Sequence, residues 1–455
     1  MKIVKKLTAL LCAAAVSAAA IPAMPTMEAQ AASTPQQILD KMGIGWNLGN
    51  SLDTNGTGDN SETFWGNPRV TKELIEFVHD QGFSSIRIPV TWGNHMDSSH
   101  NIDASYLKRV KEVVDYAYND GMYVIINIHH DNEIKYDGKG NFFFPTNQYK
   151  AQSETFVKSV WQQVSETFKS YDEHLVFETL NEPRLIGDGN EWWFDINNPP
   201  SKITEAIGVI NTLNQDAVDV IRASGGNNKT RLIMCPGYDA SVDGALVSSY
   251  KLPNDSSNMV GVSIHAYSPY EFAMNASGPS QYTDSLKSEL EWIFGEIKSK
   301  LIDKGMYCYI GEFGATNKNN ESERCAWAED YTSKAKALGI PVFVWDNNAH
   351  NVGGENFGII KRDDLTVTFP NYLKSLTKAY PVSDEQEGMP VHTPGDANED
   401  GKVNIADVIR IQQSLAGWKV KINAKNSDVI GDGKVNIADV IRIQQHLAGW
   451  KVTLK

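Results

Sequence analysis

The sequence predicts an α/β protein, a closed barrel of eight parallel β/α units, followed by a small α-helical module. Three observations carry this expectation. Short apolar, β-branched runs alternate with longer segments of helical period from Lys41 to about Tyr380, the pattern of parallel strands covered by helices. Eight such runs fit into about 340 residues, the span of a (β/α)8 TIM barrel with some long loops. Beyond the acidic, Pro-containing stretch PVSDEQEGMPVHTP the chain repeats itself: GKVNIADVIRIQQSLAGWKV from Gly401 returns from Gly433 at an offset of 32 residues, changed only at Ser414 and His446. Two short copies read as a paired module rather than an array.

In chain order, the first element is an export signal at residues 1–31. Lys2, Lys5 and Lys6 form a basic head, Leu7 to Ala23 is apolar and Ala-rich, and Ala29, Gln30 and Ala31 give a small-x-small cleavage site. Pro22 and Pro25 interrupt a run already too short to span a bilayer, and no later segment could span one. The expected product is secreted and begins near Ala32. The strand candidates follow: IGWNLG near Gly45, SSIRIPV near Ile86, YVIINIHH near Ile126, LVFETLNE near Phe177, RLIMCPG near Ile233, MVGVSIHAY near Val262, YCYIGEFG near Ile310 and VFVWDN near Val344. Helix candidates between them include VTKELIEFVHDQG and SYLKRVKEVVDYAYNDG, closed by Gly82 and Gly121 as a helix end favours. An open doubly wound sheet is the alternative, but no GxGxxG or GxxxxGK[ST] loop gives it a nucleotide site. The barrel is expected over residues 32–380, a linker over 381–394 and the module over 395–455.

Composition narrows the partners. With 42 Lys+Arg against 56 Asp+Glu and a formal charge of -14, nucleic acid and anionic membranes would be repelled. The 41% of hydrophobic residues can bury a sizeable core, which excludes global disorder. Cys235, Cys308 and Cys325 remain after the signal is removed, without CxxC or Cys/His metal spacing; buried thiols are expected, with one oxidised pair still open.

Chemistry is expected at the C-terminal ends of the strands, which line the open face of such a barrel. There stand Asn181 and Glu182 after one run, Glu312 in another, and Arg87, His129, His130, His265, Tyr267 and Trp345 at others. Two carboxyls converging on one pocket resist double ionisation, so one holds a proton while the other stays charged. That pair suits glycosidic cleavage: the acid protonates the leaving oxygen, and the carboxylate attacks the anomeric carbon or activates water.

At this point a resemblance becomes specific. LNEP around Glu182, IGEFG around Glu312, and RIPVTW, NIHHD, HAY and VWDN in order resemble glycoside hydrolase family five from about Gly43 to Tyr380, and GWNLGNSLD with ETFWGNP resembles its endoglucanase-rich branch of cellulases and xyloglucanases. The resemblance implies that Glu182 is the general acid/base and Glu312 the nucleophile of a retaining double displacement, with no cofactor for catalysis. Arg87 and Tyr267 would support ionised Glu312, Asn181 would hold the sugar 2-hydroxyl, His265 would tune Glu182, His129 would reach sugar hydroxyls, and Trp345 would stack under the ring; His130 is placed among the supporting residues. A metal on His129, His130 and Asp131 is disfavoured because adjacent strand residues point to opposite faces. Of the tryptophans, Trp65, Trp92, Trp192 and Trp193 are candidates for the cleft, and Trp161, Trp292 and Trp327 for the core.

In the repeat, Asp396, Asn398, Asp400, Asn404 and Asp407 hold positions one, three, five, nine and twelve of a loop with Gly401 at six and Lys402 at seven, an EF-hand-like spacing that offers calcium several hard oxygens. The second copy keeps Asp428, Asp432, Gly433, Lys434, Asn436 and Asp439 but has Ile430 at position three, so its site is expected to be weaker. Each loop enters one short helix ending in LAGW, which resembles a type I dockerin. That resemblance implies attachment to a cohesin domain of a cellulosome scaffold through Ile405, Ala406, Ile409 and Arg410, or through Ile437, Ala438, Ile441 and Arg442. The expected activity is endo-acting hydrolysis of β-1,4-glucosidic bonds in cellulose or related β-glucans. Xyloglucan, mixed-linkage glucan and mannan remain as substrates, and a non-catalytic glycan-binding barrel is the alternative from another class. A calcium buffer is the alternative for the tail.

Overall fold

The computed structural model describes residues 33–381 apart from 136, and 394–454 apart from 399–401, 419, 421 and 432. The expected signal peptide and most of the expected linker lie outside the described residues. Strands β1 (Ile44–Leu48), β2 (Ser85–Ile88), β3 (Tyr123–Asn127), β4 (Leu175–Glu178), β5 (Ile233–Pro236), β6 (Val260–His265), β7 (Cys308–Phe313) and β8 (Val342–Asp346) close in sequence order into one parallel barrel. β8 returns to β1, from Ile44↔Val342 to Leu48↔Asp346. Each strand falls on one of the runs expected from the sequence, because a strand with helices on one side and the barrel interior on the other is buried on both faces and must be apolar nearly throughout.

Alternation along the strands sorts the interior into layers. Tyr123, Ile125, Val176, Met234, Tyr309 and Phe343 form an apolar cluster low in the barrel with Ile38, Leu39 and Met42 of the helix Pro35–Met42. That helix begins with Pro35 and a reciprocal capping box between Thr34 and Gln37, which satisfies its first amides and lets it close the barrel's lower end. Higher up, the same inward parity brings Asn47, Arg87, Asn127, Glu178, His265 and Trp345 to the C-terminal mouth. One irregularity matters. Between β6 and β7 the register runs Ile264↔Ile310 and then His265↔Glu312, and a matching shift follows between β7 and β8. Gly311 takes up the extra residue; a Cβ there would stand 2.7 Å from the Tyr309 ring and 3.3 Å from His265 Nε2.

The outer helices pack on the barrel through one apolar core that includes Trp161 and Trp327. Trp292 corrects the expectation that it is core: it is 62% exposed. On the helix Asp284–Lys300 the buried positions are Leu286, Leu290, Phe294 and Ile297, and Trp292 falls on the opposite side of that stripe. Cys235, Cys308 and Cys325 are free thiols, the first two buried, so none of the three is in a disulfide.

The C-terminal module carries helices Ile405–Leu415 and Ile437–Leu447, each opened by a capping box, from Asn404 with Asp407 and from Asn436 with Asp439. Its core is small: Ala397, Val408, Ile411, Val429, Val440 and Ile443. Ile405, Ile409, Ile437 and Ile441 are exposed, as are Trp418 and Trp450.

Candidate active site

Arg87 organises the barrel mouth. Its guanidinium is fully buried and donates from Nε to Glu178 Oε2 at 2.8 Å, from Nη1 to Glu312 Oε1 at 2.7 Å and Asn47 Oδ1 at 3.0 Å, and from Nη2 to Asn181 Oδ1 at 2.7 Å. Burying a charge is costly unless it is paired and hydrogen-bonded, and here the rigid fork of donors meets both conditions. Glu178 was missed in reading the sequence. It is equally buried and accepts from Ser263 Oγ at 2.5 Å, Tyr309 Oη at 2.7 Å and Asn127 Nδ2 at 2.8 Å besides Arg87. Burial alone would raise its proton affinity, but Arg87, His265 and Ser263 outweigh it and hold Glu178 at about 2. The available signal was a charged residue inside the otherwise apolar run LVFETL.

Glu312 also accepts from Tyr267 Oη at 2.9 Å. Burial raises its proton affinity, against the charges of His265 and Arg87 and the Tyr267 bond; the two donors on its oxygens are groups that favour the carboxylate. Glu182, beyond the end of β4, contacts His265 Nδ1 through Oε1 at 2.7 Å and Arg184 Nη1 through Oε2 at 3.5 Å. His265 Nδ1 lies 3.7 Å from Glu312 Oε1, and an oxygen of Glu182, a nitrogen of His265 and an oxygen of Glu312 all lie within 4.8 Å of one another. Burial would lower His265, but Glu312, Glu178 and Glu182 raise it to about 10, while Glu182 is lowered, chiefly by His265 acting against burial. Both directions favour the proton on the His265 side of this contact.

His129 and Trp345 are parallel at 6.0 Å, and Trp345 lies against Gly49, where a Cβ would come within 2.7 Å of the indole. Asp53, His129 and His130 have ligand-type atoms within 4.8 Å of one another, yet the donor set does not fit a metal. Asn127 Oδ1 accepts from Val90 N at 3.1 Å and its Nδ2 donates to Glu178, which fixes the amide, so Nδ2 also donates to His129 Nδ1 at 3.1 Å. The neutral ring then carries its proton on Nε2 and has no lone pair left to ligate. Burial keeps His129 well below the usual range and His130 at about 4, so both are neutral hydrogen-bonding groups. Asn181, its Oδ1 taken by Arg87, presents its amide nitrogen as a donor. Of the cleft tryptophans, Trp192 and Trp193 are exposed and Trp65 sits edge-on to His130 at 5.5 Å, but Trp92 is buried at 1%, its Nε1 donating to the Asn127 carbonyl. Arg184 lies 4.0 Å over the Trp192 ring.

In the first C-terminal loop Asp396 and Asp407 are buried, and the Asp407 carboxylate accepts from Asn398 N at 3.1 Å and Asn404 N at 2.8 Å. Asp439 does the same with Ile430 N at 3.1 Å and Asn436 N at 2.9 Å. Asp400 and Asp432 lie outside the described residues. Among the described residues no lysine or arginine pairs with Asp407 or Asp439, and a fully buried carboxylate without a cationic side chain fits a metal cation.

Comparison with known proteins follows the same division. The model of the cellulase family (glycosyl hydrolase family 5) matches residues 51–351, and that of the type I dockerin domain matches 394–448. Endoglucanase A of Clostridium longisporum is 42% identical over 371 residues, 78% of this chain and 68% of that protein. Cellulase/esterase CelE of Acetivibrio thermocellus is 38% identical over 83% of this chain but only 46% of its own length. Among solved structures, a family 5 lichenase from a Caldicellulosiruptor species, seen with cellotetraose, superimposes with a TM-score of 0.71 at 40% identity, covering 76% of this chain and 95% of that one. A xyloglucan-specific endo-β-1,4-glucanase from a metagenomic library, seen with cellotriose, gives 0.68 at 36% identity over 75% and 97%.

Proposed function

We propose, since the chain belongs to the cellulase family of glycosyl hydrolases (family 5), that it cleaves β-1,4-linked glucan internally by a retaining double displacement, with Glu182 as acid/base and Glu312 as nucleophile. The observation that carries this reading is the pair of carboxyls within 4.8 Å on either side of His265. Carboxyls about 5 Å apart leave no room for a water between acid and sugar, which favours direct attack by the second carboxylate. Glu312 attacks the anomeric carbon; Arg87 and Tyr267 hold its oxygens in line and favour its ionised form. Glu182, with His265 Nδ1 at 2.7 Å as its proton partner, protonates the leaving oxygen, then takes a proton from the water that releases the glycosyl-enzyme. Asn181 donates to the 2-hydroxyl, a contact that strengthens as charge develops on the ring, and His129 donates through Nε2 to a further hydroxyl. Trp345 supports the ring, and Trp65, Trp192 and Trp193 extend the cleft. Cellulose, mixed-linkage glucan and xyloglucan are the candidate substrates, in keeping with what the neighbouring enzymes are named for.

The type I dockerin at the C-terminus makes this a docked enzyme. Asp396, Asn398, Asp400, Asn404 and Asp407, with the Lys402 carbonyl, would hold calcium in the first loop. Asp428, Asp432, Asn436 and Asp439, with the Lys434 carbonyl, would hold it less tightly in the second. The partner is a cohesin domain, the setting extracellular, with a signal peptide before Ala32, a catalytic domain to Tyr380, a linker to residue 394 and the module from Gly395. The deciding experiment is proton NMR of the first-formed anomer on a soluble β-glucan, paired with Glu312→Ala. Retained β-configuration and loss of activity are expected; an inverted product or an active variant overturns the mechanism.

A further inference from the structure

After β5 the chain turns through Gly237, Tyr238, Asp239 and Ala240. Asp239 (φ 58°, ψ 14°) and Ala240 (φ 47°) both lie in the left-handed region, which a residue with a Cβ keeps only where its surroundings impose it. They do so here. A Cβ on Gly237 would stand 2.2 Å from the Gly244 carbonyl oxygen, and one on Gly244 would stand 1.9 Å from that of Tyr238, so the turn is packed backbone against backbone. Asp239 N donates to the Pro183 carbonyl at 2.9 Å. Tyr238 Oη donates to the Asn190 carbonyl at 2.9 Å and accepts from Leu185 N at 3.2 Å. The turn is thereby fastened to the segment that carries Glu182. At its apex Asp239 is buried, and among the described residues its Oδ1 has no hydrogen-bond partner, an arrangement that costs stability and calls for a reason.

We propose that Asp239 is a positioning residue for the acid step, a carboxyl held beside Glu182 so that the pair keeps one proton available until the leaving oxygen takes it. The inference rests on the reading of Glu182 as the acid. His265, Arg184 and Arg87 all favour the ionised form of Glu182, which is the wrong form for an acid. A second carboxyl facing it opposes them, because two buried carboxyls that repel each other retain one proton between them to a higher pH than either would alone. The groups facing Asp239 are Glu182, Arg184, His265 and Glu191, with Tyr238 beside it. Those facing Glu182 add Arg87, Glu312 and Tyr267, and His130, which is neutral. Burial and then the charge of Glu182 push Asp239 well above the usual carboxylate range, in keeping with a shared proton.

Asp239→Asn tests this, because Asn keeps the volume and accepts the left-handed backbone while removing the ionisable group. The alkaline limb of kcat/KM on a soluble β-glucan is expected to move down by about one pH unit, so that activity just above the wild-type limb falls about tenfold. KM should change less than about twofold, and an aryl cellobioside whose leaving group needs no proton should react as in the wild type. Asp239→Glu, which keeps the charge, should leave the limb in place, and remains informative if the Asn variant is unstable. Superimposable profiles overturn the proposal, and so does a raised KM with an unmoved limb, which would make Asp239 a sugar contact. Glu182→Ala separates the two readings: an active Glu182→Ala enzyme sinks the acid assignment, whereas an inactive one with an unmoved Asp239→Asn profile sinks only this inference.

Discussion

The barrel and the C-terminal module bury carboxylates under opposite terms. In the barrel, Glu178 and Glu312 share the Arg87 guanidinium, and every oxygen of Glu178 and Glu312 meets a donor from another strand or its end. In the module, Asp407 and Asp439 are as deeply buried, yet they meet backbone amides of their own loops and, among the described residues, no cationic side chain. The difference teaches where the neutralising charge comes from. The barrel supplies it from a side chain of its own; the module, among the described residues, does not, and its core of Ala397, Val408, Ile411, Val429, Val440 and Ile443 is small.

The largest effect that could break this contrast is catalytic. Glu312→Ala should lower kcat by a factor on the order of 10^4 or more with an unchanged circular dichroism spectrum; activity near that of the wild type would mean the barrel's buried carboxylates do no chemistry. Next comes chelation of calcium, expected to melt the module's helices and weaken cohesin binding by about a thousandfold, while hydrolysis of a soluble β-glucan stays where it was. A module that keeps its helices in chelator would place both regions in the same class.

Glu178→Gln should destabilise the barrel by about 3 kcal/mol at pH 7, since Arg87 loses one of its two carboxylate partners. The sign with pH follows from Glu178 lying at about 2 in the folded chain against an ordinary 4.5: its stabilisation is full above 4.5 and fades as pH falls toward 2. Denaturant curves of the two proteins should therefore converge at low pH, and a gap that persists at pH 2 would show that the loss is steric. The smallest effect sharpens the contrast within the module. Ile430→Asn restores an oxygen at position three of the second loop and should tighten its calcium affinity by about tenfold, read by calorimetry as a second strong site.

Much of this was legible beforehand, for reasons that can be named. Eight strands were countable because parallel strands buried on both faces must be apolar runs, and Gly82 and Gly121, at φ 94° and 84°, ended helices where their freedom allows. Glu182 and Glu312 stood out because they close such runs. Glu178 did not, because whether a residue in mid-strand faces the barrel interior or the helices depends on a parity that is set only once the barrel closes. Asp239 was invisible because its position rests on backbone packing between Gly237 and Gly244, which leaves no mark in residue type. Trp292 reads as core because it lies in a helical pattern, but its phase within that helix sets it opposite Leu290 and Phe294.

The register shift at Gly311 behaves like a dislocation in a lattice: order is intact on both sides, and the defect is confined to one residue. In an unbroken β7, Tyr309 and Gly311 would face inward and Glu312 would turn toward the helices; the shift sets Glu312 opposite His265 instead. A point substitution at position 312 changes which side chain stands opposite His265, but only an insertion or deletion between Ile310 and Phe313 can change where it stands, and that would also unzip β7 from both of its neighbours. The position of Glu312 is therefore protected by the cost of healing the whole barrel, which is a sterner guard than the side chains around it.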